Sequence, residues 1–382
     1  MTTASTPGSI RIRLFGRTDV GQIREHNEDN FLIADLTRRS RSLMETDREQ
    51  IVGERGTAIG VCDGMGGAAA GEVASQLAVD IIYEKLVNGE PLKDHNELAR
   101  RLVHAVEEAG VRIFNEARAD RSRRGMGTTA TIAALLDSRL FIAQVGDSRA
   151  YVMRNGKLVQ VSRDQSLVNQ LIEAGQLTEE EAETFEHNNI ILQALGTAET
   201  VQVDLTYVDL RRGDLVLLCS DGLSGMIRGE EIRDVLRTIP DPLEACRELT
   251  ERANRAGGHD NITVIVAQFD GPGLEEPSSD EEPSYQKYPL PELPAQENTL
   301  RIAPMQMPDV PYHVNPHEPR MRVGHTIMSM PAVEVPGVSA GRYNSMDDPV
   351  ELPTTGFPPS LVGFMVLGAM VLAAVAGFLL LR

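Results

Sequence analysis

Basic tracts, paired cysteines and an early apolar leader are all missing from this chain. Lysine plus arginine number 37 against 56 aspartate plus glutamate, a formal net charge of −19. So acidic a chain has no bulk attraction to a nucleic-acid backbone or to anionic lipid, and nucleic acid is set aside as a partner. The one cationic stretch, Arg-Ser-Arg-Arg at 121–124, is small beside the acidic runs and reads as a solvated helix end. Only three cysteines occur, Cys62, Cys219 and Cys246, far apart and odd in number. That argues against a disulfide framework and fits a reducing compartment. Cys62 and Cys219 lie inside apolar runs, where a thiol serves as a small core side chain. The opening residues, MTTASTPGSIRIRLF, hold no apolar run of leader length, so the folded part is expected to stay in the cytoplasm.

Proline is scarce only in the first part. Four of the 21 prolines fall in residues 1–270 and the other 17 beyond. The first part is globular in composition. The second opens with GPGLEEPSSDEEPSYQ, acidic, polar and Pro-rich, which cannot bury enough apolar surface to offset its ordering entropy. The expected partition is a flexible N-terminus over 1–9, a folded domain over 10–270, a disordered linker over 271–360 and a membrane helix over 361–381. The last segment, LVGFMVLGAMVLAAVAGFLLL, is free of charge and as a helix spans about 31 Å, close to the hydrocarbon thickness. It predicts a single-pass tail anchor in the cell membrane. An LPTTG motif at 352–356, followed by this apolar run and Arg382, has the shape of a cell-wall sorting signal. That reading requires export, and no export signal is visible.

Within 10–270, strand-like runs alternate with longer helical patterns. RIRLFGRTDVG, NFLIADL and GTAIGVCD read as strands, followed by helices at about 70–88 and 95–120. The second helix places Leu98, Leu102, Val106, Ala109 and Ile113 on one stripe. A meander follows, with a hairpin signal at Arg-Asn-Gly, then a polar helical insertion over roughly 164–185. DLVLLCSDGL is a further buried strand, and DNITVIVAQF the last. Strand blocks separated by paired helices predict an α+β layered domain, two packed sheets with helices outside.

Four aspartates share one kind of place. Asp63, Asp147 and Asp221 end apolar strands, and Asp260 precedes one, each beside a glycine. Glu28 and Asp29 stand at another strand start. A single turn aspartate means little. Several converging carboxylates repel and raise one another's pKa, and a cation is the natural compensation. With no Cys/His ligand pair, an all-oxygen set suits Mg²⁺ or Mn²⁺ better than Zn²⁺.

Six ordered motifs carry a resemblance: RTDVGQIREHNEDNF, VCDGMGGAAAGEVAS, GTTAT, AQVGDSRAY, CSDGL and GGHDNITVIV. Together they resemble the metal-dependent protein serine/threonine phosphatases of type 2C, the bacterial branch in particular, over about residues 10–270. The resemblance implies a four-layer α-β-β-α sandwich of two antiparallel sheets flanked by helices. It implies two Mn²⁺ or Mg²⁺ ions bridged by Asp63, one of them also held by the Gly64 carbonyl, with Asp221 and Asp260 on the second. Glu28 and Asp29 would hold metal-bound waters, Asp147 with Asp221 a third and weaker ion, and Arg24 the substrate phosphate. The implied reaction is attack of a metal-bridging hydroxide on phosphoserine or phosphothreonine in proteins, with Ser/Thr kinases of the same cell and their substrates as partners. Two departures stand out. Met65 follows the Asp-Gly pair where eukaryotic members often have histidine, so no general acid is assigned. Gln193, in the flap region over roughly 164–200, stands where bacterial relatives often have arginine. A catalytically weak membrane-tethered scaffold on the same fold is the alternative reading, and missing metal aspartates would be its mark. The Pro-rich tail could also serve as a docking segment alongside either.

Overall fold

Short aliphatic runs bounded by glycines and charged turns become strands, and the two longest periodic stretches become helices. The computed structural model describes residues 8–41, 48–66, 70–183, 185 and 189–291, all within the compact unit Met1–Asn298. The chain opens with β1 (Arg11–Asp19), β2 (Asn30–Asp35), β3 (Ser40–Arg41), β4 (Glu49–Ile51), β5 (Thr57–Cys62) and the short β6 (Gly64–Met65). Helices α1 (Ala70–Val87) and α2 (His95–Ala119) follow, then β7 (Gly127–Thr128), β8 (Ala130–Leu136), β9 (Arg139–Val145), β10 (Arg149–Arg154) and β11 (Lys157–Gln160). Two short helices, α3 (Leu167–Glu173) and α4 (Glu179–Glu183), lead to β12 (Asp204–Asp209) and β13 (Leu215–Cys219). The described chain closes with α5 (Asp221–Ser224), α6 (Gly229–Thr238), α7 (Pro242–Arg255), β14 (Ile262–Asp270) and β15 (Gln286–Lys287).

The strands form two antiparallel sheets, ordered β11-β10-β13-β14-β1-β4 and β15-β12-β9-β8-β5-β2-β3, while β6 and β7 pair by themselves. Every residue of β5 is buried because both of its faces are covered. Ala58 and Cys62 face a core shared with α1 and α2, whereas Ile59 and Val61 face the core between the sheets. A third core lies between the other sheet and α5 to α7. The layers are therefore helix, sheet, sheet, helix, as expected. Helix α2 starts where Asp94 accepts the Glu97 N–H at 2.8 Å, and its predicted stripe is fully buried.

Four details differ from the sequence reading. The insertion over 164–185 is not one helix: α3 and α4 are separated by Gly175 at φ +66°. Strand β12, too polar to read as one, was not expected; it pairs with β9 from Asp204 to Asp209. Asp221 does not end a strand but opens α5, because β13 stops at Cys219.

The fourth difference is the start of the linker. Residues 271–291 pack against the domain. Leu274 is buried at 2% exposure, and β15 adds to the edge of β12. The Tyr288 N–H donates to the Leu205 carbonyl at 2.9 Å, and its ring stands edge-on to Phe141 at 5.0 Å. Averaged composition hid these few anchors. The remainder of the expected linker, the LPTTG motif and the expected span at 361–381 lie outside the described residues, as do residues 1–7. Among the described residues no helix is long and apolar enough to cross a membrane.

Candidate metal and phosphate site

Asp63 is fixed from both sides by its backbone. Its N–H donates to Thr129 Oγ1 at 3.0 Å, and its carbonyl accepts from the Thr129 N–H and the Thr128 hydroxyl, both at 2.8 Å. Thr129 Oγ1 lies 2.8 Å from Ser148 Oγ, which ties this strand end to the turn carrying Asp147. Gly64 follows in a space with no room for a side chain: an added Cβ would lie 2.3 Å from the Gly71 carbonyl oxygen and 2.4 Å from that of Glu28. The glycine is a packing requirement, since its φ is not in the left-handed region.

The 20–29 loop carries Arg24, Glu28 and Asp29 to the same place, and Asn261 holds it there. The Asn261 amide donates to the Val20 and His26 carbonyls at 3.0 and 2.9 Å, and its oxygen accepts the Glu28 N–H at 2.8 Å. Asn261 was not singled out in the sequence; its only signal is its position between Asp260 and the apolar run of β14. Arg24 Nη2 pairs with Asp260 Oδ2 at 2.7 Å. Burial opposes its charge, but this pair together with the charges of Glu28 and Asp63 outweighs burial and raises the guanidinium pKa.

Asp29 is almost wholly buried, and its Oδ2 accepts from Ser220 at 2.8 Å and Thr263 at 2.7 Å. Burial pushes its pKa up to about 7 against those two hydrogen bonds, with the charges of Asp221 and Asp260 adding to the rise. Burial, then Asp29, Asp221, Asp147 and Asp260, push the Asp63 carboxyl well above the usual range. Burial and the charge of Asp260 raise Asp221, while its hydrogen bond with Asp63 and the fields of Arg24 and Arg149 hold it back. Burial, then Asp221 and Asp164, raise Asp147 to about 7. Asp63, Asp147, Asp221 and Asp260 are each half-buried, and each feels or exerts charge on the others, so together they make one acidic recess within reach of solvent.

The structure thus brings together all eight residues singled out: Arg24, Glu28, Asp29, Asp63, Gly64, Asp147, Asp221 and Asp260. Among the described residues the acids converge without closing a ready-made cage of three around one point. Their chemistry still fits a divalent cation. Glu28 Oε1, Asp29 Oδ1 and Asp147 Oδ1 are buried oxygens without a hydrogen-bond partner, a costly state for acceptors with no neutralising charge. The donor set is all oxygen and suits Mn²⁺ or Mg²⁺.

Met65 follows Gly64 in β6. Gln193 accepts the Gln202 N–H at 2.9 Å and lines a cavity of about 220 Å³ with Gln165, Asp204 and Lys287. Leu195 exchanges backbone hydrogen bonds with Thr128 at 2.8 and 3.0 Å, fastening the end of the flap region beside Asp63. His26 and His259 are exposed.

Comparison with known proteins places this chain among relatives. The family model for protein phosphatase 2C matches residues 37–259. The serine/threonine phosphatase stp of Listeria welshimeri is 36% identical over 252 residues, 66% of this chain and 94% of the relative. The serine/threonine protein phosphatase PstP of Mycobacterium tuberculosis is 39% identical over 230 residues, 60% of this chain and 44% of the relative. The crystal structure of the Mycobacterium tuberculosis phosphatase PstP/Ppp aligns with a TM-score of 0.58 at 34% identity, covering 68% of this chain and all of that one. The PstP catalytic domain in complex with two manganese ions aligns with a TM-score of 0.57 at 35% identity, covering 69% of this chain and all of that one.

Proposed function

The chain belongs to the protein phosphatase 2C family, and on that premise we propose that it removes phosphate from phosphoserine and phosphothreonine in proteins at the acidic recess. It is a metal-dependent protein serine/threonine phosphatase. The observation that carries the assignment of the site is the convergence of four aspartates on one recess, with buried carboxylate oxygens left without a partner.

In the proposed roles, Asp63 and the Gly64 carbonyl hold the cations together with Asp221 and Asp260, and Asp147 adds a weaker position. When bound, the two ions acidify water to hydroxide near neutral pH and offset the charge of a phosphoryl group. The chain's own residues do the rest. Asn261 and the two threonines keep the recess in shape before substrate arrives. Glu28 and Asp29 orient water. Arg24 offers a guanidinium fork to two phosphate oxygens at the mouth of the site, once the anion competes it away from Asp260.

The expected setting is the cytoplasmic face of the cell membrane. What supports it is the charge-free stretch at 361–381 and the Pro-rich segment before it. With 271–291 packed on the domain, about 70 residues are left before 361, and as a coil these would have a dimension of roughly 45 Å, so the domain would search near the membrane while tethered. Ser/Thr kinases of the same cell and their substrates are the proposed partners.

Hydrolysis of a phosphothreonine peptide by the full chain tests the assignment, compared in Mn²⁺, Mg²⁺ and EDTA. Turnover should need the metal, and Asp63→Asn should lower kcat by about 10³-fold while the fold persists. Equal turnover in EDTA, or an active Asp63→Asn variant, would overturn it. Deleting 361–382 should move an active enzyme from the membrane to the soluble fraction, and a truncated protein that stays with the membrane would refute the tether.

A further inference from the structure

The arginine cluster at 121–124 is a sequence motif that the recess does not use, and it stands just ahead of β7, the strand that pairs with β6 next to Asp63. Helix α2 ends at Ala119. Asp120 then caps the next turn, its Oδ1 accepting from the Ser122 N–H at 2.9 Å and the Ser122 hydroxyl at 2.7 Å. Arg123 stays beside Asp120 and Glu116, at 3.6 and 3.8 Å. Arg121 and Arg124, to either side, are exposed, and among the described residues no carboxylate pairs with them. A favourable place at a helix C-terminus would explain cations in the last turn of α2. It does not explain these two, which lie beyond the helix.

From Arg124 the chain needs only Gly125 and Met126 to enter β7, whose Gly127 and Thr128 pair with Met65 and Gly64. A Cβ on Gly66 would lie 2.8 Å from Met126 Cα, so the loop leaving Asp63 rests on this same turn. Four residues of extended chain span at most about 14 Å, which bounds the distance from Arg124 to the Thr128 backbone beside Asp63. A bound peptide in extended form advances ~3.3 Å per residue, so a side chain two to four places from the reacting residue comes within reach of the cluster.

Resting on the phosphatase reading above, we propose that Arg121 and Arg124 form a docking patch for a second anionic group on the substrate. That group is a phosphate or a glutamate two to four residues from the phosphoresidue being hydrolysed. The reason is electrostatic. A chain with net charge −19 repels acidic substrates at long range, and two unpaired guanidinium groups within four residues of the strand beside Asp63 supply a local attraction to an anionic side chain. Their forks match carboxylate and phosphate alike.

The test uses the full chain with Mn²⁺ and three peptides of one sequence. One carries a single phosphothreonine in a neutral context, one adds a second phosphothreonine three residues away, and one has glutamate there instead. The double variant Arg121→Ala, Arg124→Ala should leave kcat/KM on the neutral peptide within about twofold, and lower it about fivefold to tenfold on the two acidic peptides, mainly through KM. Lysine at both positions should restore most of the loss, and raised salt should erase the preference in the wild type. A loss on the doubly phosphorylated peptide alone narrows the patch to phosphate. Unchanged kinetics on both acidic peptides, or an equal loss on all three, overturns the inference and leaves the phosphatase reading intact. No turnover of any peptide by the wild type overturns that reading, and this inference with it.

Discussion

Gly64 shows how tightly one residue is specified. A Cβ there meets two carbonyl oxygens at 2.3 and 2.4 Å, both of them backbone, so neither can swing aside as a side-chain tip could. Gly64→Ala should destabilise the fold by about 2–3 kcal/mol, as overpacking does, and should weaken Mn²⁺ binding because the carbonyl is displaced. Thermal unfolding and calorimetric titration with Mn²⁺ measure both; an unchanged Tm would mean that Gly71 and Glu28 yield more easily than the packing suggests. The cysteines make the opposite case. All three are free and buried. Burial pushes the Cys219 and Cys246 thiols up to about 12 and raises Cys62 as well. A thiol whose pKa is raised stays protonated until the pH passes the raised value, and only the thiolate reacts. The native protein should therefore resist alkylation at pH 8, and all three thiols should react in denaturant. Rapid labelling of any one under native conditions would show an opening that the packed core does not contain.

At the scale of elements, the strap over 271–291 is the piece that changes practice. It supplies the Glu281 carboxylate 2.7 Å from Arg154, a guanidinium 3% exposed that also meets Asp214 at 2.7 Å. It covers the edge of β12 with β15 and lays Tyr288 against Phe141 and Tyr207. Ending the chain at residue 270 removes Leu274 and Tyr288 from the apolar contacts and exposes a sheet edge. We expect the 1–270 fragment to melt about 5 °C or more below the 1–291 fragment, since burying one leucine-sized side chain contributes about 1.5–3 kcal/mol. Paired melting curves decide the matter, and coincident curves would reduce the strap to a passive appendage.

Considered whole, the domain concentrates unfavourable charge in one recess and leaves its relief to a cation. Asp29 and Asp147, held near 7, bind more protons when folded than when unfolded between roughly pH 4 and 7. For the metal-free protein the sign follows: the contribution of these two acids to stability is fullest below the ordinary carboxylate range and is lost as pH rises through about 7. A bound divalent cation favours the ionised carboxylates and offsets that loss. The Tm difference between Mn²⁺ and EDTA should therefore be larger at pH 8 than at pH 5.5. A difference independent of pH would mean that these acids do not face the metal.

The sequence alone determined much of this. Alternating and continuous apolar runs set the main strands, the stripe from Leu98 to Ile113 set α2, and strand-end aspartates beside glycines marked the recess. These are local signals, carried by periodicity and by turn chemistry within a few residues. Other features depended on partners far along the chain. Strand β12 is too polar to announce itself and exists because β9 offers a free edge. Residues 271–291 read as linker until Arg154, Asn155 and Leu205 give them partners. Asn261 gains its role only when it is folded against Val20, His26 and Glu28. The arginines at 121–124 read as a helix end in the sequence, and only the pairing of β6 with β7 sets the strand that follows them against Gly64 and Met65. A sequence states which groups are available. Which of them meet is decided by long-range pairing, where the free energy of contact belongs to two distant segments and is written in neither.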